Sequence, residues 1–128
     1  MKYNGIVERK LLIIEEKINL IESWQVASFS MLQENLMLQN AVEHALQVAI
    51  EAAIDTAERV LAIEKQTPPL TSVDAMEKLQ KLGIIPANPA YIEMVKFRNF
   101  IMHRYEKIDL AIVYATIKNK LPVFKEFV

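Results

Sequence analysis

The fifteen residues 44–58, HALQVAIEAAIDTAE, decide the fold class. Their polar side chains fall at His44, Gln47, Glu51, Asp55 and Glu58, three or four positions apart. At about 100° per residue, that spacing draws one narrow stripe along an α-helix. Nearly every other position is Ala, Val, Leu or Ile. A helix apolar around most of its circumference needs more than one neighbour. It is expected either at the centre of a helical bundle or shared with a second subunit.

The pattern extends on both sides. No glycine or proline interrupts residues 29–64, a span long enough that a kink or break is expected near Gln39-Asn40. Upstream, Leu11, Ile14, Ile18 and Ile21 recur at helical spacing and predict a first helix over residues 6–23, preceded by Gly5. Downstream, Gln66-Thr67-Pro68-Pro69 ends the long helix. Thr71 with Asp74 resembles a capping box for a short helix reaching residue 82, with Gly83 as its stop. Asn88-Pro89 predicts the N-cap and first-turn proline of a further helix. Asp109 is placed to cap a last helix, which Pro122 kinks or interrupts. No strand pattern, internal repeat or linker stands out. The expected architecture is all-α, an up-and-down bundle of four to five helices, formed by residues 1–128 as a single domain.

Composition narrows the function classes. A chain of 128 residues can bury a core without covalent help, and 52% apolar with 24% charged residues suits a globular protein. The absence of cysteine excludes a disulfide framework and thiolate zinc sites, and agrees with a reducing cytoplasm. Residues 1–10 are polar and charged, unlike a signal peptide, and no apolar stretch approaches the ~20 residues of a membrane span. A cytoplasmic protein without a membrane partner is expected.

The net charge of −1 conceals an asymmetry. Residues 1–64 hold five basic and ten acidic side chains, a net −5, whereas residues 65–128 hold ten basic and six acidic, a net +4. Near neutrality argues against a broad non-specific nucleic-acid binder, and no DNA partner is expected. A local positive field in the second half suits an anionic ligand.

That half contains Arg98-Asn99-Phe100-Ile101-Met102-His103-Arg104-Tyr105, and His103 is one of only two histidines in the chain. Arginine can hold a phosphate and histidine can move a proton near neutral pH. On an ideal helix starting at Ala90, the residues Ala90, Met94, Phe97 and Ile101 share the core face. Lys96, Asn99 and His103 lie opposite, where Asn99 can orient the His103 ring from four residues away. Arg98 sits at the margin of the apolar face, with Tyr105 almost directly above it. Arg98 and His103 are five apart, about 140° around the helix, so one helix does not aim both at a single atom. Two copies of the helix across a two-fold axis would solve this. The plainer alternative makes Arg98 an ion-pair partner of Glu51 or Asp55.

The eight-residue motif resembles the signature of HEPN-domain ribonucleases, and Tyr105 two positions after His103 is similar to the HepT branch of HepT/MntA toxin–antitoxin pairs. Ala41-Val42-Glu43, Leu46-Gln47, Ile50-Glu51 and Asp55 resemble the family's long second helix, and the Leu82-Gly83-Ile84-Ile85 turn and Ile108-Asp109 also fit. Asn40 stands where the family often has a basic residue. The resemblance covers roughly residues 40–128.

What it implies is a homodimeric endoribonuclease toxin that needs no metal or cofactor and acts on tRNA or mRNA. Arg98 and His103 would be catalytic and Asn99 supporting, with Glu51 and Asp55 candidates for a surrounding layer. An MntA-like nucleotidyltransferase antitoxin would silence the enzyme by attaching AMP to Tyr105. The alternative from another class is a non-catalytic helical dimer that binds or scaffolds a nucleotidyltransferase. A nucleotide-binding bundle has little support, because no glycine-rich phosphate loop exists.

Overall fold

In the computed structural model, which describes residues 5–26, 28–85 and 87–102, every regular element is a helix. These are α1 (Gly5–Ser23), α2 (Phe29–Glu34), α3 (Leu36–Ile63), α4 (Ser72–Lys81) and α5 (Ala90–Met102). The all-α bundle expected from the apolar periodicity is what forms. Asp109 and Pro122 lie outside the described residues.

Helix α3 is the axis of the molecule. Its 28 residues extend about 42 Å at 1.5 Å per residue, and α1, α2, α4 and α5 all pack on it. Val42, Leu46, Ala49, Ile50, Ala53, Ala57 and Leu61 are fully enclosed within this one chain. The broad apolar surface is therefore explained by a central position. Along the stripe, His44, Asp55 and Glu58 are exposed, while Gln47 and Glu51 are half-buried under their neighbours. Thr56 departs from the stripe and is buried. Its hydroxyl donates to the Ala52 carbonyl at 2.7 Å, which satisfies it inside its own helix.

Helix α1 lies along α3 and buries Val7, Leu11, Ile14, Ile18 and Ile21, the expected face with one residue added at its start. Ala49 and Ala53 are both fully buried on the axis helix, where their small side chains allow a neighbouring helix to come close.

The break in the long apolar span falls at Asn35, not near Gln39-Asn40. Asn35 leaves helical geometry at φ −124° and ψ 97° and serves both flanking helices. Its N–H donates to the Leu32 carbonyl, closing α2, and its Oδ1 accepts from Leu38 N–H at 3.0 Å, opening α3. Asparagine is among the strongest N-caps, and Gln39 has no such task. Instead Gln39 braces the corner, its Nε2 donating to the Gln33 carbonyl at 3.0 Å.

Helices α3 and α4 end in the same way. At α4, Gly83 N–H reaches the Gln80 carbonyl and Ile84 N–H the Leu79 carbonyl, both at 3.0 Å, with Gly83 at φ +74°. At α3, Lys65 N–H reaches the Ala62 carbonyl at 3.0 Å and Gln66 N–H the Leu61 carbonyl at 2.9 Å. These are Schellman closures, and the second places a lysine at φ +57° where glycine is the usual occupant. Helix α4 starts as its sequence predicts, with Thr71 Oγ1 accepting from Asp74 N–H at 3.0 Å. The Asp74 carboxylate reaches back to Leu70 N–H at 3.0 Å, one residue earlier than the standard box.

Candidate functional site

Helix α5 carries the start of the Arg98–Tyr105 motif, and its own start is fixed twice. Asn88 Oδ1 accepts from Ala90 N–H at 2.9 Å, and Asn88 N–H donates to Gln80 Oε1 on α4 at 3.0 Å. Gln80 thereby sets where α5 begins relative to α4. The buried face comprises Ala90, Tyr91, Met94, Val95 and Phe97, wider than the stripe read from sequence by Tyr91 and Val95. Lys96 and Asn99 are exposed on the other side, as expected.

Arg98 leaves the margin of that apolar face and runs inward between α3 and α4. Its Nη1 donates to Glu51 Oε1 at 3.0 Å, and its Nη2 donates to Ser72 Oγ at 3.2 Å. The Arg98 side chain keeps only 15% of its surface exposed, against 36% for Glu51. The Arg98 Nε is buried and has no hydrogen-bond partner among the described residues. The guanidinium is thus gripped at its outer edge from two helices, α3 through Glu51 and α4 through Ser72. A charge-assisted bond at this distance and coverage is stronger than a surface ion pair, because water screens it less.

Of the two carboxylates expected near Arg98, the structure brings up Glu51 alone. Asp55, one turn further along α3, accepts from Lys10 Nζ on α1 at 3.3 Å and is half-exposed. One turn of α3 separates the two tasks, joining α1 to the axis at Asp55 and anchoring α5 at Glu51. Ser72 escaped the sequence reading. Its hydroxyl follows the N-cap Thr71 and looks like part of the cap, and only the packing of α4 against α5 shows it facing Arg98.

His103 and Tyr105 lie outside the described residues. Among the described residues, no group of three His, Asp or Glu side chains is arranged to hold a metal ion, and no helix is long and apolar enough to cross a membrane. A shallow groove of about 310 Å³ lies between the end of α3 and the following loop, lined by Glu58, Leu61, Ala62, Gln66, Pro68 and Pro69. Arg98 is not part of it.

Comparison with known proteins identifies the architecture. The family model described as Ribonuclease HepT-like matches residues 14–128, nearly the whole chain. This chain belongs to the HepT-like ribonuclease family. Its relatives include the mRNA nuclease HepT of Shewanella oneidensis, 28% identical over 127 residues that cover 98% of this chain and 95% of that one. Among solved structures, the tri-AMPylated Shewanella oneidensis HEPN toxin in complex with MNT antitoxin superposes with a TM-score of 0.87. Its identity is 27%, and the match covers 98% of this chain and 95% of that one. A toxin–antitoxin structure with AMP-PNP also scores 0.87, at 26% identity over 97% of this chain and 95% of the other. The HepT-like frame is therefore matched over the helices that hold Glu51, Ser72 and Arg98.

Proposed function

We propose that this chain is the RNA-cleaving toxin of a toxin–antitoxin pair, a metal-independent endoribonuclease. The observation that carries the reading is the Arg98 guanidinium, held by Glu51 and Ser72 at the head of an Arg-x-x-x-x-His-x-Tyr motif in a HepT-like frame. An arginine whose head group is already oriented can meet a phosphate without first being ordered. The bonds to Glu51 and Ser72 use two of its five N–H donors, one on each Nη, so each Nη keeps a second N–H. The mRNA nuclease activity of the Shewanella relative supports RNA, and mRNA in particular, as the substrate.

RNA supplies its own nucleophile. His103 takes the proton of the ribose 2′-hydroxyl as that oxygen attacks the adjacent phosphorus. The bond from phosphorus to the 5′-oxygen breaks, and a protonated imidazole returns a proton to that leaving oxygen. The products are a 2′,3′-cyclic phosphate and a 5′-hydroxyl. Arg98 stabilises the charge that grows on the non-bridging oxygens. The exposed Asn99 orients His103 or contacts the phosphate. Five residues apart, Arg98 and His103 would diverge by about 140° on an ideal helix, which favours a composite site shared by two subunits of a homodimer.

The antitoxin is a nucleotidyltransferase of the MntA type, and the tri-AMPylated toxin in complex with MNT antitoxin supports this pairing. The phenolic oxygen of Tyr105 attacks the α-phosphorus of ATP, pyrophosphate departs and the phenolic proton is released. On an ideal helix Tyr105 falls almost directly above Arg98, and adenylate attached there would compete for the phosphate position and block RNA. Both steps belong in the cytoplasm, where RNA and ATP are found.

The ion pair with Glu51 also favours a second reading, in which Arg98 only ties α5 to α3 and the dimer scaffolds its nucleotidyltransferase. One experiment separates the two. Purified wild type, Arg98→Ala and His103→Ala are incubated with total RNA, with and without chelator, and the cut ends are sequenced. The nuclease reading expects cyclic-phosphate ends from wild type alone, unaffected by chelator. Equal, undetectable cleavage by all three favours the scaffold, and a strict need for divalent metal overturns the mechanism.

A further inference from the structure

The geometry points to Ser72 as a positioning residue for the reaction, acting through Arg98. This inference rests on the nuclease reading above and adds to it a residue from a third helix.

Ser72 occupies the first position of α4, yet the helix does not need its hydroxyl. Thr71 Oγ1 already accepts from Asp74 N–H, and Asp74 covers the preceding Leu70 N–H. The Ser72 Oγ instead accepts from Arg98 Nη2 at 3.2 Å, across 26 residues of chain. A single bond from Nη1 to Glu51 would leave the guanidinium plane free to swing about that contact. The buried Nε, with no partner among the described residues, offers no second point. The Ser72 bond supplies it. With Oε1 of Glu51 on α3 and Oγ of Ser72 on α4, the plane of the fork is fixed by two helices.

A phosphate donor must sit within roughly 0.5 Å of its productive position to stabilise charge that appears only in the transition state. Loss of the second fixing point therefore lowers kcat and leaves KM nearly unchanged, because ground-state attraction to RNA depends on the charge of Arg98 and not on its tilt. Ser72 never needs to touch RNA for this to hold.

The test is a kinetic cycle on a defined RNA cleaved by the wild type. Ser72→Ala is expected to lose about tenfold in kcat at unchanged KM, a modest part of the ~100-fold that a misplacement of 1 Å can cost. Ser72→Thr, which keeps a hydroxyl at the same branch, restores most of the rate. In an Arg98→Lys background, which lacks the planar fork, Ser72→Ala costs nothing further. Wild-type kcat in Ser72→Ala overturns the proposal, as does an equal loss in both backgrounds. Arg98→Ala is the control. Wild-type cleavage by that variant refutes the Arg98-based mechanism on which this inference rests, whereas a dead Arg98→Ala beside a fully active Ser72→Ala refutes only the role of Ser72.

Discussion

Replacing Glu51 with alanine isolates what the buried end of Arg98 is worth. The bond removed is charge-assisted, 3.0 Å long, with Arg98 mostly covered and Glu51 about a third exposed. Hydrogen bonds to charged groups contribute about 1.5–3 kcal/mol, and the exposure of Glu51 puts this pair toward the low end through solvent screening. Ser72 continues to hold Nη2, so the guanidinium is not left wholly unpaired. The expected loss is about 1.5 kcal/mol, or a Tm lower by roughly 5 °C for a chain of this size. Glu51→Gln keeps an acceptor oxygen and should lose about half as much. The decisive assay is urea denaturation of the cycle formed with Arg98→Met, which retains the apolar stem and removes the charge. In that background Glu51→Ala should be nearly neutral, giving a coupling of about 1.5 kcal/mol. If Glu51→Ala costs the same with methionine at position 98, the ion pair is not what stabilises this junction. Cleavage adds a second readout. Below the melting range Glu51→Ala should still lose kcat, whereas a merely structural pair would leave it intact.

Three further outcomes follow from the frame. Leu46→Ala empties a fully buried site on the central helix and should cost about 2–5 kcal/mol in chemical denaturation, with cleavage by the remaining folded protein unchanged. Lys65→Gly relieves a left-handed lysine at the end of α3, which costs roughly 1 kcal/mol, and should raise Tm slightly; a fall in Tm would mean that the Lys65 side chain makes a stabilising contact of its own. Thr71→Ala removes the α4 cap and should cost about 1 kcal/mol, with faster amide exchange over the first turn of α4 and reduced cleavage through Ser72. Unaltered exchange there would separate the cap from the site.

The fold was legible because the residues that build it act locally. The stripe from His44 to Glu58 marks α3 as a helix needing more than one neighbour, while packing alone decides its central place, and Thr71, Gly83 and Asn88 mark ends where the structure has them. The break was misplaced because Asn35 caps two helices at once, which no short window reveals. Lys65 shows the converse, a helix end whose backbone closure matches that at Gly83 without the residue that advertises it. For the site, sequence offered two acidic candidates four apart for Arg98. Their one-turn difference decides which helix each faces, and only packing sends Asp55 to Lys10 and Glu51 to Arg98. Ser72 was hidden for the same reason, since its meaning lies 26 residues away.

That separation has a consequence for how the molecule comes into being. Helix contacts in a bundle are mostly short in sequence and form early, whereas closing long loops costs entropy before it is rewarded. The two bonds to Arg98 span 47 and 26 residues, so they belong to the last interactions a refolding chain completes. A nascent or half-folded chain can hold most of its helical content while its arginine still swings free. For a protein proposed to cut its own cell's RNA, that ordering delays the hazard. In stopped-flow refolding, helical signal should recover ahead of cleavage competence, and simultaneous recovery would contradict the order.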